Sequence, residues 1–171
     1  IVNPNKRYQR GMIPHKLVYD AVPKDIPVYT MSYNRPKSFN ELLAFPDSYT
    51  MPGFNLLPYM QHDEFLSTVY SCKFGIDINR DFSAGQLAVD FASLGIPLIG
   101  NIQLDPQRNL YPDTSFEWDD FEGIKKCIQK LSTDIDFNLE VGRKALQHAK
   151  DNYLSSKIVN QYMSDFNNLK K

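Results

Sequence analysis

Residues 74–100 constrain the fold more than any other stretch, because they read as a complete strand–helix–strand unit: FGIDIN, then RDFSAGQLAVDFASLG, then IPLIG. A short apolar run, a turn opening on Ser83 with Gly85 just inside it, an amphipathic helix closing at Gly95 and a second apolar run follow in order. Two strands joined by a helix lie parallel, since an antiparallel pair needs only a short hairpin between them. In open parallel sheets, ligands settle at the carboxyl ends of the strands. Here that edge carries Asn79, Arg80, Asp81 and the helix start at Ser83, Ala84 and Gly85. Helix-start N–H groups and a dipole worth about half a positive charge favour an anion there, and phosphate is the natural guest. Ser83 also serves as a helix cap, a role compatible with that site. Gly85 taken alone is equally explained by close helix packing.

The remainder of the chain divides by its prolines. Eight of the eleven precede residue 60, so the first third is expected to hold short elements separated by turns. A helix is predicted from His15 to Val22 and a strand over IPVYTMSY, Ile26 to Tyr33. A brief helix capped by Ser38 and a second strand over SYTMPGF, Ser48 to Phe54, follow. From Asp63 onward, Phe65, Leu66, Val69 and Tyr70 share one helical face. After Gly100, NIQLDPQRNLYPDTSFEW reads as an irregular surface loop. Three helices close the chain. The first starts at Asp119 or Asp120 and buries Phe121, Ile124, Cys127, Ile128 and Leu131; the second starts at Asp136 with Leu139, Leu146, Ala149 and Tyr153. The third follows Ser155 or Ser156, and its stripe of Ile158, Val159, Tyr162, Met163, Phe166 and Leu169 needs a surface to cover. No repeat or linker interrupts this pattern. The expected class is therefore a single α/β domain over residues 1–171, with a mainly parallel sheet, helices on both faces and a helical C-terminus.

Composition narrows the function. A formal net charge of -1 gives the chain no overall field to draw it to nucleic acid or to an anionic membrane. No apolar run approaches the roughly 18 residues of a membrane span, which argues for a cytoplasmic setting while leaving room for peripheral membrane association. Cys72 and Cys127 have neither CxxC nor histidine spacing, so they are expected to pack as small apolar residues. His15, His62 and His148 lack a Ser, Cys or ligand partner at recognisable spacing and are read as structural or solvated; His62, just ahead of a helix, is the one placed to touch a ligand. Glu117, Asp119, Asp120 and Glu122 surround a helix start, where acidic residues are expected for the dipole alone, so no metal is assigned to them. Opening on Ile1 and ending on Lys170 and Lys171, the chain reads as a processed product or an excised domain.

The order of elements from Tyr49, and above all FGIDIN, SAGQLAVDFASLGIPLIG, LYP, the DDFEGIKKCIQKL helix and the FNLEVGRKALQHAKDNYLS helix, resembles the carboxyl-terminal domain of a GT-B glycosyltransferase. That resemblance implies a Rossmann-like, three-layer α/β/α domain that binds a nucleotide-diphosphate sugar as donor substrate, with no further cofactor and no metal. The acceptor and the catalytic base would belong to an amino-terminal partner domain, so no residue here is assigned a catalytic role and the domain alone is expected to be inactive. Within VDFASLGIP, Asp90 stands where the family usually has glutamate, which implies a contact to the ribose. A second acidic residue found in many retaining members, eight positions earlier, falls here on Phe82. Arg7 and Arg10, beside Lys6, lie where the family neutralises the diphosphate, and Met51, Pro52 and Phe54 lie where it holds the base. Two other readings fit the same elements: a non-catalytic α/β interaction module, in which residues 83–85 form only a tight turn, and the carboxyl-terminal domain of a nucleotide-sugar 2-epimerase.

Overall fold

The computed structural model describes residues 12–31, 54–58, 60–78 and 85–153. Along them run α1 (Met12–Ala21), β1 (Val28–Met31), β2 (Phe54–Leu57), α2 (His62–Tyr70), β3 (Gly75–Asp77), α3 (Gln86–Ser93), β4 (Leu98–Asn101), α4 (Asp105–Leu110), a 3-10 turn (Pro112–Thr114), β5 (Ser115–Phe116), α5 (Phe121–Thr133) and α6 (Ile135–Asn152). The predicted helix capped by Ser38 and the last amphipathic helix, from Ser155 onward, fall outside the described residues.

The strands form two parallel groups, β1 with β2 and β3-β4-β5 in that order. Val28 sits opposite Phe54 in the first, and Gly75, Ile76 and Asp77 sit opposite Leu98, Ile99 and Gly100 in the second. The fold is thus mixed α/β with parallel pairing. Successive residues of a strand face opposite ways, and β4 shows the consequence. Ile99 joins a core of Phe74, Ile76, Phe54 and the buried stripe of α5, Ile124, Cys127, Ile128 and Leu131. Its neighbour Leu98 joins a second core built by Phe65, Phe91, Leu110, Val141 and Ala145. Full burial of each such side chain contributes about 1.5–3 kcal/mol, so these two clusters carry most of the driving force.

Helix starts follow the local chemistry. The Asp120 carboxylate accepts the Gly123 N–H at 2.9 Å and opens α5. Asp134 does the same for Phe137 at 2.9 Å, so α6 begins one residue ahead of the expected Asp136. Each cap contributes roughly 1 kcal/mol. Gln61 N–H donates to Glu64 at 3.1 Å across the start of α2.

Three expectations shift. The second strand, expected over Ser48 to Phe54, forms at Phe54–Leu57, beyond the Pro52-Gly53 pair. The segment expected to be a surface loop holds α4, the 3-10 turn and β5, and it buries Leu104, Gln107, Leu110, Tyr111, Thr114 and Ser115. Its prolines open elements rather than break them, because a first-turn proline lacks only an N–H that the helix does not use. Gln107 and Thr114 then donate to the Leu98 carbonyl at 3.1 and 2.7 Å, tying the segment onto β4. In α6, Leu139 points outward, 65% exposed, while Val141, Gly142, Ala145 and Ala149 form the buried face. Small residues win that face because α6 crosses very close to the end of α3.

A Cβ placed on Gly142 would lie 2.0 Å from the Gly95 carbonyl oxygen, a backbone atom that has no rotamer to escape into. Gly142→Ala is therefore expected to lower stability by about 1–3 kcal/mol, as overpacking of a tight core contact does. Lys144→Ala, on the exposed side of α6, should stay within about 0.5 kcal/mol of the parent. Urea denaturation midpoints compare the two, and equal midpoints would show that α3 and α6 do not meet this closely.

Candidate functional site

Parallel pairing decides where polar groups converge. A helix that follows a strand begins at the carboxyl end of that strand, so the starts of α2 and α3 lie beyond the ends of β2 and β3. The strand ends themselves are polar yet buried: Thr30 in β1, Asp77 closing β3 and Asn101 closing β4 are 4%, 6% and 1% exposed. Buried polar groups persist only when partnered, and all three are engaged by neighbours. Asn101 Oδ1 accepts the Gln103 N–H at 2.9 Å and so shapes the turn after β4. At their amino ends β1, β3 and β4 begin with apolar residues, Val28, Phe74 just ahead of β3, and Leu98.

Asp90 lies mid-way along α3, one turn after its first residue, and is buried, 9% exposed. Gln86 Nε2, one turn earlier, donates to its Oδ1 at 2.8 Å. His62, the first residue of α2, brings Nε2 to 3.6 Å from the same oxygen. The imidazole stacks on Phe65 with centroids 6.4 Å apart. Sequence reasoning missed this meeting because the two residues are far apart in the chain and no spacing rule links them; the only signal was the place of His62 just ahead of a helix. His148 packs its ring near Tyr153 on α6, 6.4 Å between centroids.

Gly85 occupies the cap position of α3, so the helix opens at Gln86 rather than at the expected Ser83. Its φ of 71° lies in the left-handed region, where a side chain is strained. A Cβ there would also meet the Pro106 ring at 2.6 Å, so the missing side chain lets α4 pack against this turn. Ser83 and Ala84 lie outside the described residues, as do Asn79, Arg80, Asp81, Arg7, Arg10, Met51 and Pro52. Phe54 opens β2 and is buried in the core, its ring 6.4 Å from that of Tyr19. Of the expected site residues, the described structure therefore places Asp90 and Gly85 near the carboxyl edge and Phe54 in the interior.

The amino edge is chemically different. A cavity of about 190 Å³ opens there between Val18, Val22, Ile26, Val28, Phe74 and Ile76. Lys73 borders it, but its ammonium donates to the Ser132 carbonyl at 2.5 Å and is committed to the end of α5. An apolar hollow of this kind gives an anion nothing to bind. Among the described residues no group of three metal-ligating side chains comes together, and no helix is long and apolar enough to cross a membrane.

Burial also sets the acid–base behaviour of the remaining titratable side chains. The Tyr111 hydroxyl donates to the Ile96 carbonyl at 2.8 Å, and desolvation holds it well above the ordinary phenol range. Desolvation likewise raises Cys72, whose Sγ lies 3.2 Å from the Thr68 carbonyl. Cys127 is pushed up to about 12 by its burial. Both cysteines are free thiols. No model of a known protein family matches this chain, and comparison with curated proteins finds no match.

Because a raised thiol pKa keeps the nucleophilic thiolate scarce below that value, Cys127 at pH 8 holds only about one thiolate in ten thousand molecules. Iodoacetamide at pH 8, followed by peptide mass spectrometry, should modify Cys72 first and leave Cys127 unmodified until the chain is unfolded. Equal labelling of both in the folded protein would place Cys127 outside the core.

Proposed function

We propose that this chain is the donor-binding domain of a GT-B-type glycosyltransferase, a Rossmann-like three-layer α/β/α domain that holds a nucleotide-diphosphate sugar. The observation that supports this most is a buried carboxylate, Asp90, kept at the carboxyl edge of a parallel sheet beside two helix starts. The division of β4 between two cores, with Ile99 on one side and Leu98 on the other, agrees with helices covering both faces.

In this function the ribose hydroxyls donate to Asp90, and the diphosphate lies against the chain from Ser83 to Gly85 with Arg7 or Arg10 as counter-charge. The base meets the turn after the second strand; since β2 ends at Leu57 and Phe54 is buried, that turn is the one around Pro58 and Met60 rather than Met51, Pro52 and Phe54. During transfer a bond forms from an acceptor oxygen to the anomeric carbon as the bond to the diphosphate breaks, and the acceptor's proton passes to a base outside this domain. Amides and cations already in place stabilise the negative charge that grows on the leaving diphosphate. The acceptor-holding domain is a partner of this one, and the donor domain by itself binds without transferring.

Isothermal titration calorimetry of the chain with UDP, GDP and ADP tests this. One of the three should bind with measurable heat, and Asp90→Ala should weaken it by about tenfold or more, the worth of a hydrogen bond to a charged group. Heat from none of the three would contradict the function.

A further inference from the structure

The hollow at the amino edge is walled by short, stiff side chains. Val18 on α1 and Val22 just beyond it line one side, Ile26 and Val28 line the approach to β1, and Phe74 and Ile76 belong to the start of β3. Five of these six are β-branched and fixed at χ1, so they leave the space between the elements unfilled. Polar groups of the adjoining turn are already spent on the backbone. Ser71 Oγ donates to the Thr68 carbonyl at 2.8 Å and Cys72 Sγ to the same oxygen at 3.2 Å. Lys73 is the only charged side chain among the described lining residues, and its ammonium is held by the Ser132 carbonyl.

A charged guest would find no counter-charge here, and a water would lack most of the roughly two to four partners it needs. Charge complementarity therefore selects an uncharged, apolar occupant. Size narrows it further: an apolar cavity of about 150 Å³ admits benzene, so one of about 190 Å³ admits a substituted ring or a short alkyl chain. An α-helix, about 10 Å across, is too wide to enter. Walls facing a void forfeit dispersion contacts that an apolar guest restores. We propose that this hollow is a second binding site, on the edge opposite the nucleotide, for an uncharged hydrocarbon group of about six to eight carbons. Cys72 lies in its wall, so its thiol reports whether the site is filled.

Amide NMR of the ¹⁵N-labelled full chain, titrated separately with toluene and with hexan-1-ol, tests this. At least one probe should give saturable shifts at Val22, Ser71 and Phe74 with a Kd of about 1 mM or tighter, and the tighter of the two tells ring from chain. Saturation should also slow iodoacetamide alkylation of Cys72 severalfold, because the guest covers the thiol. Val22→Phe and Ile26→Phe place a ring in the space from two sides. Either variant, once thermal unfolding shows it folded, should lose the shifts. Absence of saturable shifts at these amides with both probes overturns the site, as do shifts that persist unchanged in a folded filled variant. None of these readouts involves a nucleotide, so the outcome is independent of the function proposed above.

Discussion

Parallel pairing is the constraint on which the rest of this molecule depends. Because β3, β4 and β5 run the same way, each connection has to carry the chain back along the sheet before the next strand can begin. The helices that directly follow a strand, α2, α3, α4 and α5, therefore start at one edge and end at the other. That asymmetry separates the buried polar residues Thr30, Asp77 and Asn101 from the apolar amino edge around Val28 and Phe74. It also brings His62 and Asp90, from two different helices, within 3.6 Å.

Close contacts between elements hold both edges in place. The Gly142 backbone against Gly95 sets how near α6 lies to α3, and the ring of Pro106 fills the space beside Gly85. At the amino edge, where Gly95 also lies, Lys73 and Asn138 link the turn before β3 to the end of α5 and the start of α6. Contacts between backbone atoms or rigid rings leave little room for adjustment, which favours the fixed geometry that ligand-orienting groups require.

Much of this was legible in the residues. The unit over residues 74–100 was clear because an apolar run, a helical period and a second run punctuated by glycine occur together, and the stripe of α5 followed its period from Ile124 to Leu131, whereas Phe121, expected in it, is 36% exposed at the first turn. Where the chain was misread, tertiary context had overridden a local sign. Pro106 and Pro112 were taken as breakers, although each stands in the first turn of its element. Leu139 was grouped with the apolar positions of this helix, yet it is 65% exposed, and the face toward α3 is taken by Gly142, Ala145 and Leu146, which packs against Gly95. Phe54 fell in the right strand region but at its beginning rather than its end, since neither propensity nor proline marks how far β2 continues. Asp90 was singled out through a family resemblance. Its neighbour His62 was not assigned to it, because contact between two helices joined through a strand leaves no periodic trace.

The central claim is that ligand binds on the carboxyl edge of these strands. Two-dimensional amide NMR of the uniformly ¹⁵N-labelled chain, titrated with the nucleoside diphosphate that binds best, reads this residue by residue. The account predicts shifts concentrated at Met60, His62, Gly85, Gln86 and Asp90, with Val22, Ser71 and Phe74 unmoved. Shifts concentrated at Val22, Ser71 and Phe74 instead would place the ligand in the apolar cavity at the opposite edge and contradict it.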